Sequence, residues 1–567
     1  MSRSKATEAA VRAFAKHPYL SAALICLLLD PFFFGSVRNI PIGALLLECI
    51  GVVAVSAVLG YSRFRKGSIG KKQFLLFMVC VSGAVLFGAH LYAQSERKAL
   101  WHFVGGSAAI MLLYYLADMK KYREQVNAFT IMALGFMLKL YYVLVTSVYT
   151  RQNDVYTFDG VSGHAGYIEY LVNEHHICDF DPRMRWQYVH PPLHHAISAV
   201  WVTISEKIMM TGRDPARESI QMLTLFYSMC IIISAYKILR YFGLKGNALY
   251  VPLAVVSFHP AYVLFSGAIN NDVLSVALAM GAVVCTLEWY SDPTFGKIFK
   301  IAVCIGCAMM TKVAAATVAP PVALVFLVVF IKNFKEKGKE LFWQYFAFGL
   351  VCVPLGLWFG IRNFLRWEIP LTYVSKMSED CEQYLGNTPF MQRVTDFSAY
   401  QLSSPYESWA KVSEDGTVIG YNEFNPLITL MKNTLFGEEI NAGCFSSNVI
   451  TLFAWGLFWV NVVIAGTALI AMLYHIFRKP SMPKFFIGAF YAMLMGSFYK
   501  AAADYPFTCT MNFRYIAPTV ITGAVFLGLM LKGCDKEKPA GKAVGIVSGV
   551  TACLFAGFSV LVYTALV

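Results

Sequence analysis

Apolar residues along this chain come in long runs rather than in alternation. Stretches of about 20 residues, the length that crosses a bilayer as a helix, recur almost from end to end. The pattern predicts spans near 18–37, 40–61, 73–94, 99–117 and 127–149. A second group follows near 218–240, 248–268, 273–290, 297–311, 313–331 and 343–361, and a third near 449–476, 484–500, 515–531 and 543–565. Two long polar stretches, 150–216 and 362–448, separate the groups. The expected fold class is an all-α polytopic membrane protein with about fifteen spans. The first apolar run lacks a small-residue cleavage site, so it is expected to remain as a span.

Composition agrees with the pattern. The 567 residues are 57% hydrophobic and 14% charged, against about a quarter charged in a soluble protein. The net charge of +13 would suit a nucleic-acid partner, but its distribution excludes one. Lysine and arginine cluster in short loops: Arg63, Arg65, Lys66, Lys71 and Lys72; Lys120, Lys121 and Arg123; Lys332, Lys335, Lys337 and Lys339; Arg478, Lys479 and Lys484; Lys532, Lys536, Lys538 and Lys542. Short basic loops mark the cytoplasmic side. All five fall on that side only if the apolar segment 191–210 does not cross, so it is read as an interfacial helix on the outer face. The two polar stretches then face outward.

Most of the 14 cysteines fall within spans and read as small apolar residues. Cys178, Cys381, Cys444 and Cys509 face outward, as disulfides or as free thiols. Cys304 and Cys307 have CxxC spacing but sit mid-span, where packing accounts for them. The chain has no glycine-rich phosphate cradle, which argues against a nucleotide-driven pump.

The first outer stretch gathers Asp154, Asp159, His164, Glu169, Glu174, His175, His176, Asp179, Asp181, His190, His194 and His195. Ionisable groups at the mouth of a membrane domain mark a site. Asp159 either caps a short helix beginning near residue 161 or acts as a general base; Asp154 is the second candidate base. His164 can orient the base, bind phosphate or ligate a metal, or be a surface residue without a role. The segment His190-Pro191-Pro192-Leu193 opens the interfacial helix, its prolines fixing the entry of the chain. Asn270-Asn271-Asp272, Thr311-Lys312, Arg362-Asn363 and Arg514-Tyr515 lie at outer ends of spans. Three outward cations suit a phosphate-bearing lipid, and snorkelling to headgroups is the bland alternative.

In this order along the chain, Asp159 with His164, His190-Pro191-Pro192-Leu193, Asn271-Asp272, Thr311-Lys312, Arg362-Asn363 and Arg514-Tyr515 resemble the GT-C membrane glycosyltransferases. The resemblance is to the branch of protein O-mannosyltransferases, aminoarabinose transferases and related bacterial enzymes, and covers residues 127–532. It implies a large first outer loop with juxtamembrane helices, and a sugar donor carried on a polyprenyl phosphate. It implies inverting transfer to a hydroxyl of a glycan, lipid or protein acceptor, with Asp159 at the catalytic acidic position. Lys312, Arg362, Arg514 and Tyr515 would then bind the donor phosphate, and His190, Asn271 and Asp272 the substrate. The family usually has Asp-Glu where Gly160 follows Asp159 here.

On this reading residues 1–126 are an N-terminal extension of four spans, 127–361 the catalytic membrane core with its outer loop 150–216, 362–448 a cap, and 449–567 the last spans. The expected location is the bacterial plasma membrane with the site outward. No cofactor is certain; Asp154, Asp159, His164 and Asp272 could hold a divalent metal. The cap carries Trp367, Tyr373, Tyr384, Tyr400, Tyr406, Trp409 and Tyr421, suited to stacking on sugar rings or to packing. Two rivals have the same outline: a transporter or flippase of lipid-linked sugars, and a non-catalytic sugar-binding membrane protein. A transporter should carry ionisable groups near the bilayer midplane; within the spans Asp30, Glu48 and Glu288 are the exceptions noted.

Overall fold

The computed structural model describes all residues except 1–14, 34–41, 66, 68–69, 95–97, 117–121, 376, 382, 403, 407–409, 413–417, 422–424, 446, 535–537 and 567. The chain is an all-α multi-pass membrane protein. Among the described residues, seven helices are long and apolar enough to cross a membrane, or nine if each of two bent pairs counts as one span. The expected count of fifteen is not confirmed among the described residues. Phe295–Thr311 is a 17-residue helix. Helices also occupy the expected N-terminal positions, at Pro18–Phe33, Ile42–Arg65, Lys71–Gln94 and Lys98–Leu116.

The stretch Ala319–Trp367 is helical throughout except at Lys337. There it folds back on itself: the Tyr345 hydroxyl donates to the Phe326 carbonyl at 2.7 Å, and the two rings stack at 5.1 Å. Nineteen residues along a straight helix would separate them by about 28 Å, so two antiparallel helices meet here, as the pattern at 313–331 and 343–361 predicts.

Each end of the bundle has its own chemistry. At one end Lys532 donates to the Phe242 carbonyl at 3.0 Å, Arg240 pairs with Glu124, and Tyr241 bonds Ser291. The basic segments 479–484 and 532 gather there. The acidic and histidine-rich stretch lies at the opposite end. Helix Leu193–Lys207 stays at that end. His194 near its start bonds the Ile269 carbonyl at 2.9 Å, and Ser205 near its finish meets Ser219 at 3.3 Å, at the threshold of helix Ile220–Tyr241. The segment 191–210 therefore lies across the bundle end rather than through it.

The span at 248–268 is broken. Helices Asn247–Ser257 and Pro260–Gly267 meet at 44°. Pro260 cannot donate to the preceding turn, and the His259 ring caps the second half by accepting from the Ala261 amide at 3.3 Å. The carbonyl freed at Ser257 receives a mid-span lysine: Lys139 Nζ lies 2.5 Å from it, wholly buried. Unmatched backbone polar groups at membrane depth need such a partner. A second break, of 51°, separates Thr508–Ile516 from Thr519–Gly533; the two short 3-10 turns before it present Arg514.

The segment expected to form a cap, 362–448, meets this second break. The Leu385 amide donates to the Pro506 carbonyl at 2.7 Å and the Thr508 amide to Gln383 at 3.0 Å. Arg393, fully buried, donates to Ala502 at 3.2 Å. Helix Pro426–Phe436, capped by the Asn425 side chain, and a short antiparallel strand pair, Ala410–Val412 with Val418–Tyr421, belong to the same segment.

Candidate active site

The site is built where four chain breaks meet at one end of the bundle. Asp272 opens helix Asp272–Ser291, a position where the helix dipole favours a carboxylate. Lys312 closes helix Phe295–Thr311, and the Asn271 amide ties the two by donating to the Thr311 carbonyl at 3.1 Å. Arg514 sits on the 3-10 turn Phe513–Ile516. Asp154 lies in the loop after helix Arg123–Val145, held at φ 58°.

These four side chains form one alternating chain of charge. Lys312 is ion-paired with Asp272. Arg514 Nε lies 3.7 Å from Asp272 Oδ2, and Arg514 Nη2 is 3.1 Å from Asp154 Oδ2. Tyr515 binds the cations together: its hydroxyl accepts from Arg514 at 3.0 Å, and the Lys312 ammonium sits 4.7 Å from its ring centre. Asp272, Arg514 and Lys312 are nearly buried, with side-chain exposures of 4%, 9% and 13%, whereas Asp154 keeps 33%. Trp186 donates to the other Asp154 oxygen at 3.3 Å. Asp154 is thus the member of the chain that solvent and an incoming group can reach.

A small cleft opens from this chain. Its head is Asp272, Lys312, Arg514 and Tyr515, and its lower walls are apolar: Val276 and Ala279 on one helix, Phe490 and Leu494 on another. Polar head and apolar walls in one groove match an amphiphile with an anionic head.

Histidines back the site. His190 faces the charged chain and is pushed down to about 4 by burial, with Lys312 adding to the effect. Its ring lies parallel to that of His164, with centres 6.2 Å apart. His164 is buried and its Nδ1 lies 2.9 Å from His195 Nε2, one ring donating to the other. Burial holds both well below the usual histidine range, so they are neutral. The His164 amide donates to the Asp154 carbonyl at 3.0 Å, which fixes the backbone of the exposed carboxylate.

Of the residues expected from sequence, Asp154, His190, Asp272, Lys312, Arg514 and Tyr515 come together, with Asn271 bracing them. Three do not. Asp159 is 77% exposed and paired with Arg213 at 2.8 Å, on the outer surface of the loop and apart from the cluster. His164 is a buried neighbour of His195 rather than a side chain open to the cleft. Arg362 donates to the Cys178 carbonyl and lies over Trp367 at 4.8 Å, occupied within the loops. The four side chains named as metal ligands do not converge: Asp159 is remote, Asp272 is bound by Lys312, and His164 by His195. Among the described residues no three His, Cys, Asp or Glu side chains form a metal-holding group.

Glu438 is the residue that sequence reasoning passed over. It follows Gly437 at the end of helix Pro426–Phe436 and accepts from Asn153 and from Asn512. Burial pushes its carboxyl up to about 7, with Arg514 opposing. The signal was weak: an acidic pair, Glu438-Glu439, after an apolar helix inside a segment read as a cap. The cap aromatics have structural partners, Tyr384 against Phe507 and Tyr406 against Phe445; Trp409 lies outside the described residues.

No family model matches the chain, and no curated protein does. Among solved structures the chain is similar to the oligosaccharyltransferase AglB of Archaeoglobus fulgidus, in complex with an inhibitory peptide and a dolichol-phosphate. The identity is 11% and the TM-score 0.44, over 77% of this chain and 56% of that one. The apo form of the Archaeoglobus fulgidus oligosaccharyltransferase gives 12% and 0.42, over 78% and 56%. ArnT from Cupriavidus metallidurans bound to undecaprenyl phosphate gives 11% and 0.35, over 66% of each chain. The chain thus spans little more than half the length of the archaeal enzyme, and at these identities no residue role transfers from one protein to another.

Proposed function

We propose that this protein is a GT-C-type membrane glycosyltransferase that moves a sugar from a polyprenyl-phosphate donor to a hydroxyl acceptor. The observation that carries this reading is the cleft, whose head is a cationic pair, Lys312 and Arg514, and whose walls are apolar. The donor phosphate takes the head, and the first isoprene units run along Val276, Ala279, Phe490 and Leu494. Asp272 holds the two cations against each other's repulsion before the phosphate arrives.

Asp154 is the general base. It is a carboxylate at hydrogen-bond distance from Arg514 and open to water, so an acceptor hydroxyl can approach it while the donor lies in the cleft. As the acceptor oxygen bonds to the anomeric carbon, Asp154 takes its proton, and the anomeric C–O bond breaks with its electron pair going to the phosphate. Lys312 and Arg514 stabilise the negative charge that develops there. Attack opposite to the leaving group inverts the anomeric centre. The Asp159 carboxylate is engaged by Arg213 at the surface, which supports Asp154 rather than Asp159 as the base. The site faces the outside of a plasma membrane on this reading, with the basic end of the bundle inside.

The test is transfer from radiolabelled polyprenyl-phosphate sugar in proteoliposomes supplied with glycan, lipid and peptide acceptors. Sugar moved to an acceptor with inverted configuration supports the reading. Donor carried across the bilayer unchanged would replace it with a transporter.

A further inference from the structure

Glu438 stands beside the charged chain without belonging to it, yet the two segments that carry its neighbouring members Arg514 and Asp154 meet on its carboxylate. One oxygen accepts from Asn153 Nδ2 and the other from Asn512 Nδ2. Asn153 directly precedes Asp154. Asn512 precedes Arg514 by two residues, and its own Oδ1 accepts the Arg514 amide at 2.8 Å. The two segments are far apart in sequence and have no helix in common. Asp154 also sits in a left-handed conformation, which aspartate adopts more readily than most side chains.

Glu438 is itself firmly placed. Gly437, at φ 64°, turns the chain out of helix Pro426–Phe436. That helix is bound at its start by Asn425, which donates to the Val394 and Asp396 carbonyls at 2.9 and 3.0 Å. The segment 362–448 therefore delivers one carboxylate to a fixed point between two loops.

We propose that Glu438 is a positioning residue, a single carboxylate that clamps the Asp154 loop to the Arg514 turn and so sets the distance between base and phosphate-binding cation. Its consequence for sugar transfer rests on the transferase reading above; the clamp itself does not. Both of its oxygens face asparagine amides, so it acts through Asn153 and Asn512 and not on the reacting atoms. Its facing charges are Arg514 and Asp154 from the two loops and Glu439 beside it.

The clamp is tested without any reaction by hydrogen–deuterium exchange of the detergent-solubilised full chain. In Glu438→Gln the amides at 152–156 and at 511–514 should both exchange about tenfold faster or more, while helix Ile220–Tyr241 is unchanged. Asn153→Ala and Asn512→Ala each remove one arm, and each should loosen the other arm's segment as well as its own; they also serve if Glu438→Gln does not fold. Loosening confined to the mutated segment overturns the proposal, as does unchanged exchange in Glu438→Gln. In the transfer assay Glu438→Gln should lower kcat about tenfold to a hundredfold, with polyprenyl-phosphate affinity within about threefold of wild type. Combining it with Asn512→Asp, which restores a donor–acceptor pair of the same net charge, should recover part of the loss. If the wild-type chain transfers no sugar, the transferase reading falls and the exchange result still decides the clamp.

Discussion

Arg514 reaches Asp154 across 360 positions of sequence, its Nη2 lying 3.1 Å from Asp154 Oδ2, while its Nε faces Asp272 at 3.7 Å. One guanidinium thus joins an exposed carboxylate to a buried one. Removing it leaves Asp272 buried with Lys312 as its remaining cation, and breaking a buried pair costs about 3–5 kcal/mol. Arg514→Ala should therefore lower both the unfolding temperature and the affinity for polyprenyl phosphate, with transfer falling about a hundredfold or more. Arg514→Lys keeps the charge but loses the fork that serves two carboxylates, and should recover stability better than it recovers transfer. Equal donor affinity in wild type and Arg514→Ala would remove Arg514 from the phosphate site.

The two candidate bases separate cleanly by substitution. Asp154→Asn keeps the shape of the side chain but cannot take a proton. Its kcat should drop by about 10²–10⁴ with donor still bound. Asp159→Asn breaks an exposed ion pair with Arg213, an interaction typically worth under about 1 kcal/mol, and should leave transfer nearly unchanged. The reverse ranking in a transfer assay would return the base to Asp159 and require the loop to move.

The reason sequence favoured Asp159 is physical and local. A carboxylate before an amphipathic helix, five residues ahead of a histidine, has the spacing of a catalytic loop, and spacing says nothing about which way the loop faces. The multi-pass helical class was legible, though the count of fifteen is not confirmed, because a bilayer imposes length and apolarity on its spans. The interfacial course of 191–210 was legible from charge alone, because basic loops sort to one side. Lys312, Arg514 and Asp272 were legible as ionisable groups at span ends. Glu438 and the Arg213–Asp159 pair were not, since both depend on contacts between segments far apart in sequence that no periodicity encodes. Lys139 was passed over for the same reason: its partner, the Ser257 carbonyl, exists only because the facing span breaks at Pro260.

That break supplies its own test. Lys139 Nζ is 2.5 Å from the Ser257 carbonyl, and Gly135 one turn earlier allows the approach: a Cβ there would lie 2.6 Å from the same oxygen. Lys139→Met keeps the length and removes the donor, leaving a buried carbonyl unmatched at a cost of about 1–3 kcal/mol. Thermal unfolding in detergent should show that loss, and donor binding in the surviving protein should persist. If Lys139→Met abolished net sugar movement in the proteoliposomes while folding and donor binding were normal, the transporter reading would gain instead.

Acid should destabilise the protein through its buried histidines. Burial pushes His190 and His194 down to about 4, whereas in the unfolded chain they titrate near about 6.5. Below that value the unfolded state binds protons that the folded state refuses. The stabilisation is therefore fully present above about 6.5 and is lost as pH falls toward about 4, each group contributing up to about 1.4 kcal/mol per pH unit. His194→Gln keeps a donor for the Ile269 carbonyl and removes one titrating group, so its unfolding temperature should fall less steeply than that of wild type between those limits. Parallel slopes would mean that His194 is already hydrated in the folded protein.

The backbone that carries Asp154 depends on one glycine. Gly163 opens helix Gly163–Glu174 at φ 80°, and its amide donates to the Trp186 carbonyl at 3.0 Å. The next two amides, of His164 and Ala165, donate to the carbonyls of Asp154 and Val155 at 3.0 Å each. Residues 154–155 thus lie directly against the start of this helix. A Cβ at Gly163 would stand 2.4 Å from the Val155 carbonyl oxygen and 2.4 Å from the Tyr156 ring. Gly163→Ala must adopt a left-handed φ, at about 1–2 kcal/mol, and also displace the loop that positions the base. Its kcat should fall further than its stability does, because a shift of about 1 Å at the reacting group can cost a hundredfold. Gly160→Ala, whose Cβ would meet Thr157 at 3.1 Å, is the milder control in the same loop. Wild-type kcat in a folded Gly163→Ala protein would mean that the 154–155 segment can move without consequence, and Asp154 would then have to be given up as the base.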